Sequence, residues 1–350
     1  MGKKMADIII LLFCFSLSTF FLPLVSAVED SWTSLEPMPT ARLGLGVAVV
    51  GGRIYAITGS DGAWINCTEE YNPETDTWTI KSAIPTIRSE LATAVYQNKI
   101  YVIGGWGTSG VTGTNEVYDT VSDTWETKAS MPTDRTDLVA NQVNGKIYVM
   151  AGKKFTSYSW PVLCNQTEIY DPLTDSWTTG AAMPNFNGTG PEIASKSENV
   201  ASAVIDNKIY VIVEQTLHIY DIQTNLWSYG TDLPTYIKGI AACATTGTFA
   251  PKRLHVVGSD AHYVYDPDTD EWTSATPIPN SRYWVELAVT NDRLYAVGGF
   301  NTNGEVLAVN ELYTPIGYIP EFPSWVILLL FLASSLTAVI YRKKLHRKPN

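Results

Sequence analysis

The chain has 350 residues, 45% of them hydrophobic, and a formal net charge of −11. With +1 in residues 1–27 and +5 in the last nine residues, the middle of nearly 300 residues carries −17. That middle is long enough for its own core, and its acidity repels nucleic acid and anionic lipid, so no nucleic-acid ligand is expected.

Residues 1–27 read as a secretory signal peptide: Lys3 and Lys4 lead, Ile8 to Leu24 is almost wholly apolar, and Val25-Ser26-Ala27 offers small residues for cleavage. An uncleaved anchor helix is the alternative. Cys14 leaves with this run, so an odd set remains, Cys67, Cys164 and Cys243, and the fold is not a disulfide framework.

The middle repeats one stretch. YNPETDTW at 71–78 returns as YDTVSDTW at 118–125, YDPLTDSW at 170–177, YDIQTNLW at 220–227 and YDPDTDEW at 265–272. With Trp32 added, the tryptophans recur every 45–52 residues, a period that belongs to propellers or solenoids. Each period also holds a strand-like pair of runs around a two-residue turn, as in LATAVYQNKIYVIGG and LAVTNDRLYAVGG. Such runs predict β-hairpins, and no segment of the middle keeps a helical period. Four short strands per period describe propeller blades. Asp266, Asp268 and Asp270 imitate a calcium loop, but the other copies lack the spacing and the loop glycine is missing, so a turn is the expectation.

These marks resemble the kelch-repeat family. A Gly pair ends the second strand at Gly104-Gly105 and Gly298-Gly299, and is half kept at Gly59, Gly152 and Gly258. The Tyr and Trp with six residues between them complete the resemblance, which covers about residues 30–316. It implies an all-β, six-bladed kelch-type β-propeller over residues 28–316, its ring closed by the N-terminal strand around Trp32. Tyr313 has no Trp after it and Trp32 has no Tyr before it, so the two ends of the domain complete one blade. The Tyr and Trp are expected to pack blades together. No cofactor and no metal is expected: His218, His255 and His262 fall inside strand runs, and no catalytic or phosphate-binding motif occurs.

Comparison among the repeats singles out Arg42, Arg88, Arg135 and Arg282, which hold one slot at the start of the first strand of four blades. Four tryptophans stand outside the repeat and the C-terminal run: Trp64, Trp106 and Trp160 in loops after the second strand, and Trp284 beside Arg282. A ring of guanidinium groups with aromatics suits an acidic peptide, a protein or a glycan. The alternative is that each Arg braces a neighbouring blade through an acid such as Glu90 or Asp137. Sequons at Asn66, Asn165 and Asn187 are candidates for glycosylation on the same face. The favoured function is a cell-surface binding or adhesion module. The alternative is an exported kelch-type enzyme acting on a sugar or sugar acid, mutarotase-like, with Glu90 or Asp137 as acid or base.

After a Pro-rich linker, 317–324, Trp325 to Tyr341 gives a predominantly apolar run of seventeen residues, the short end for a membrane helix, followed by a basic tail over 342–350. The basic flank predicts a cytoplasmic tail and an extracellular propeller. Pro320-Glu321-Phe322 ahead of that run resembles the PEF-type sorting signals of archaeal surface proteins, which implies a sorting transpeptidase as partner; a plain membrane anchor explains the run equally well.

Overall fold

In the computed structural model, residues 28–155, 161–185 and 199–319 are described. The chain divides into a unit of residues Glu29–Tyr318 and a second made of its two ends. The signal run, the C-terminal apolar run, the basic tail and the Pro320–Phe322 tripeptide lie outside the described residues. Among the described residues all regular structure is strand, and no helix is long and apolar enough to cross a membrane.

Six four-stranded antiparallel sheets follow one another along the chain. Sheet one runs Gly46–Val50, Arg53–Ser60, Trp64–Asn72 and Thr77–Lys81. Sheets two to five repeat that meander, starting at Ala92, Val139, Val200 and Ala241. Sheet six takes three strands from the C-terminal side, Glu286–Thr290, Arg293–Val297 and Asn310–Thr314, and its outer strand from Ser31–Ser34. Trp32 stands opposite Tyr313 across that seam, as Trp78 stands opposite Tyr71 in sheet one. The expected closure by the N-terminal strand is therefore present.

The turn chemistry explains the hairpins. Tight two-residue turns need φ > 0 at both positions, and Gly51-Gly52, Gln97-Asn98, Asn144-Gly145 and Asn291-Asp292 all lie there. Alternation then sends one face of each sheet against each neighbour. Ala48, Tyr55 and Ile57 of sheet one bury against Ile100, Val102 and Tyr118 of sheet two. Equivalent clusters join every consecutive pair, and Ile54 and Tyr71 of sheet one meet Tyr295 and Val297 of sheet six. The stack thus returns on itself as a ring.

The Tyr–Trp repeat is the fastener between sheets. Each repeat Tyr is buried, and its hydroxyl donates to an acid or amide five residues on, as Tyr118 does to Asp123 (2.6 Å) and Tyr220 to Asn225 (2.5 Å). The same oxygen accepts the backbone N–H of the chain arriving from the preceding sheet: Ser82 on Asp123 (2.8 Å), Ala181 on Asn225 (2.8 Å). The indole N–H beside it donates to that same segment, Trp125 to the Ser82 carbonyl (2.9 Å). At the seam, Asp30 accepts from Tyr313 (2.8 Å) and from the Thr276 N–H (2.7 Å), while Trp32 donates to the Thr276 carbonyl (2.8 Å). One motif, split between the two ends of the domain, makes the last sheet identical in kind to the others. The Asp266–Asp270 loop is such a turn: Asp266 accepts the Asp268 N–H and pairs with Arg253, and Asp270 accepts from Tyr265 and Thr231. No group of acids, His or Cys suited to a metal occurs among the described residues.

Candidate binding face

The start of each first strand and the end of each second strand lie together, since the two are antiparallel. Short bridges mark this face: Leu43 with Ser60, Arg88 with Gly107, Thr136 with Lys153, Arg282 with Asn301. Glycine permits the close approach; a Cβ on Gly105, at φ 107°, would sit 2.7 Å from the Ser89 carbonyl.

The four arginines are at this face but not on it. Arg42, Arg88, Arg135 and Arg282 are each 0% exposed. Each binds a glutamate on the third strand of its own sheet: Arg42 with Glu69 (2.5 Å), Arg88 with Glu116, Arg135 with Glu168, Arg282 with Glu311 (2.6 Å). Other guanidinium donors reach backbone carbonyls, and Arg88 serves those of Gly104 and Val102, both at 2.9 Å, while the Nε–H groups of Arg42 and Arg135 are buried without an acceptor. The second oxygen of each carboxylate is also occupied, by Thr40, Thr86 and Thr133 in the first three sheets and by Asn280 in sheet six. Burial draws the pKa of Arg88 and Arg282 down, and the facing carboxylates oppose it.

Two expectations are corrected here. These arginines do not present charge to a ligand, because each is fully buried and its charge is met by a glutamate of its own sheet. They do not brace a neighbouring sheet through Glu90 or Asp137 either. Glu90 accepts from the Thr136 hydroxyl (2.9 Å), and Asp137 pairs with Lys153 (2.6 Å). The true partners carry a signal in the sequence. Glu69, Glu116, Glu168 and Glu311 all stand two residues before the repeat Tyr. In the two remaining sheets that position is His218 or Tyr263, and neither sheet has an arginine in the slot.

What the face does present is the mouth of the central channel. A cavity of about 80 Å³ opens there, lined by Leu45, Leu91, Leu138, Val200, Ile240 and Val285, one from each sheet, with Glu90, Asp137 and Trp284 at the rim. Beneath it a cavity of about 170 Å³ follows the first strands, whose inner edges expose backbone N–H and C=O groups. Glu286 lines both. It is only partly exposed, and desolvation by burial pushes its carboxyl up to about 8.

The tryptophans separate. Trp284, at φ 50°, lines the mouth and packs on Phe300, with ring centres 5.0 Å apart. Trp64 is 40% exposed at the end of sheet one's second hairpin. Trp106 packs edge-on against Phe155 at 4.9 Å, and Trp160 lies outside the described residues. Asn66 is exposed and Asn165 half-buried at equivalent places on this face, each three residues before its sheet's buried glutamate; Asn187 lies outside the described residues. Cys67 touches Arg42, and Cys67, Cys164 and Cys243 are all free thiols. The three histidines are buried in strands of sheets four and five.

A ring of four-stranded meanders fastened by repeated Tyr–Trp pairs is a kelch-type β-propeller. The family described as the KLHDC2/KLHL20/DRC7 Kelch-repeats domain matches residues 22–213, more than half of the sequence. The chain belongs to the kelch-repeat family. Human Kelch-like protein 22 is 30% identical over 91 residues, a match that covers 23% of this chain and 13% of that protein. The chain thus matches only a small part of that relative's length. The solved structure of YjhT superposes with a TM-score of 0.67 at 16% identity, over 79% of this chain and 96% of that one. That likeness is one of fold.

Proposed function

We propose that this chain is a surface-displayed recognition module. In this reading residues 28–316 form a six-bladed kelch-type propeller that is exported by residues 1–27 and held at the membrane by 325–341. Its basic tail remains in the cytoplasm, and its channel mouth binds a protein or peptide. The observation that supports this most is where the chain enters and leaves the ring. The Gly317 N–H donates to Glu29 (2.8 Å), and Tyr318 lies under Arg293 beside the strand-one hairpins. That is the end opposite the mouth, so a tether on either apolar run leaves the mouth unobstructed. Retention of residues 325–350 as a plain anchor and their removal at Pro320-Glu321-Phe322 by a sorting transpeptidase are separated by the intact mass of the native protein.

Display is tested by labelling intact cells with an amine reagent that cannot cross membranes; propeller lysines that stay unlabelled would refute it. Recognition is tested on a peptide array with the full chain. Peptides that bind should be lost with Trp284→Ala at the mouth and kept with Val121→Ala, which lies in an exposed turn on the opposite end. Equal loss with both variants would refute the mouth as the binding face.

A second reading, an enzyme acting on a sugar or sugar acid, draws support from Glu286 alone. Its raised pKa suits a general acid. The arginines that would hold a sugar carboxylate are sealed, and Glu90 and Asp137 have partners, so recognition is favoured.

A further inference from the structure

We propose that the channel mouth takes an ammonium group on an unbranched alkyl stem, of the lysine side-chain type, with Glu286 as its counter-ion. This rests on the reading of the mouth as the binding face and deepens it.

The repeats supply the first observation. The position four residues after the arginine slot, at the start of the first strand, is Gly46, Ala92, Val139, Ala201 and Ala241 in five sheets. All are small or apolar, as the narrow channel requires. In sheet six it is Glu286. A carboxyl in a slot that is otherwise small contributes nothing to packing, and its side chain makes no hydrogen bond or ion pair among the described residues. It differs in this from Glu69, Glu116, Glu168 and Glu311, whose oxygens are fully engaged.

The second observation is the sign of the surroundings. All four arginines of this face are neutralised within the sheets, and Lys153 is paired to Asp137. The charged side chains that line the mouth itself are Glu90, Asp137 and Glu286, all acids, while Lys238 stands off the lining over the Tyr283 ring, so the mouth selects against the acidic ligand that the arginine pattern suggested. An incoming cation would supply the partner that Glu286 lacks and draw its raised carboxyl back toward the charged form.

Shape narrows the cation. The six aliphatic side chains above Glu286 form an apolar collar that suits methylene groups, as lysine stems lie along apolar surface while the charge reaches beyond. Below the collar are the Glu286 carboxyl and the carbonyls of the strand edges, acceptors for the three donors of an ammonium, beside strand-edge N–H groups that an ammonium leaves to water. A guanidinium is a wide planar fork, poorly fitted to a six-fold collar. A divalent ion needs several oxygen ligands, and the described residues hold no such set.

The experiment uses the full-length chain and three capped amino-acid probes: Nα-acetyl-lysine N-methylamide, its Nε-acetylated form, and the norleucine analogue. Binding is followed by calorimetry and by tryptophan fluorescence. The lysine probe should bind, and both neutral probes should bind at least about tenfold more weakly, as should the lysine probe to Glu286→Gln. Glu286→Gln preserves shape, and a cooperative melt with an unchanged circular-dichroism spectrum shows that it is folded. Norleucine binding as well as lysine, or no lysine binding at millimolar concentration, would overturn the proposal. Lysine binding unchanged by Glu286→Gln but lost in Trp284→Ala overturns the counter-ion and keeps the mouth. Binding unchanged in both variants overturns the mouth as well.

Discussion

Sheets one, two, three and six each hold a buried Arg–Glu pair; sheet five fills the same space without charge. There Ile237 stands in the arginine slot, 3% exposed, and Tyr263 in the glutamate slot. The threonine two residues before the slot is kept, and Thr235 bonds the Tyr263 hydroxyl (3.1 Å) just as Thr86 bonds Glu116. One position thus has two solutions, one a buried ion pair, the other apolar with a neutral pair. The difference teaches that the ion pair is not required for a sheet to join the ring. It must be either complete or absent, because a buried charge without its partner is costly while an apolar replacement of similar volume is often neutral. Sheets four and five differ in a second way, since all three buried histidines are theirs.

The largest effect should come from breaking the split sheet. Deletion of residues 31–38 removes Trp32, its hydrogen bond to Thr276 and the strand that covers Asn310–Thr314. The loss should approach the whole stability of a domain, about 5–15 kcal/mol, with no cooperative melt. An unchanged melting temperature would show that the ring does not depend on its seam.

Next in size, Arg88→Ala strands Glu116 and should cost about 3–5 kcal/mol in denaturant melts. The sharper test is exchange. Arg88→Ile with Glu116→Tyr, the residues of sheet five, should recover most of that loss. If the double variant is as unstable as the single one, the two solutions are not interchangeable and the comparison between sheets fails.

Acid should act mainly through sheets four and five. Burial holds His262 down at about 4 and His255 and His218 below the usual histidine value. Groups whose folded pKa is depressed contribute stability above about pH 6.5, and it is lost as pH falls toward the folded value. Each can remove up to about 1.4 kcal/mol per pH unit over that window. The slot of His255 is Tyr55, Tyr101, Tyr148, Tyr210 and Tyr295 elsewhere, so His255→Tyr should flatten the melting temperature between pH 6.5 and 4.5. An unchanged pH profile would place the acid sensitivity in other sheets.

The smallest effect tests uniformity. Trp125→Phe keeps a ring but removes the donor to Ser82, and should cost about 1 kcal/mol. Trp32→Phe at the seam should cost no less, because its geometry is the same (2.8 Å to Thr276). A much larger loss at Trp32 would mean that the seam carries more than its share.

The sequence by itself determined the repeat, the strands and the closure, because each rests on local chemistry. Two-residue turns favour Gly, Asn or Asp, strand faces alternate, and a Tyr and Trp seven apart fall opposite each other across a tight turn. It also held the arginine partners in plain view, since Arg and Glu are present together or missing together in the sheets, yet spacing alone could not say which side of a strand a guanidinium enters. Only the tertiary structure decided that, by seating the arginines between strands, where burial forces each to meet a carboxylate. The structure also decided that Glu286 enters the channel. Nothing in ELAVT distinguishes it from an ordinary surface glutamate until the first strands of six sheets, far apart in the chain, converge on one axis and leave it no other place to point.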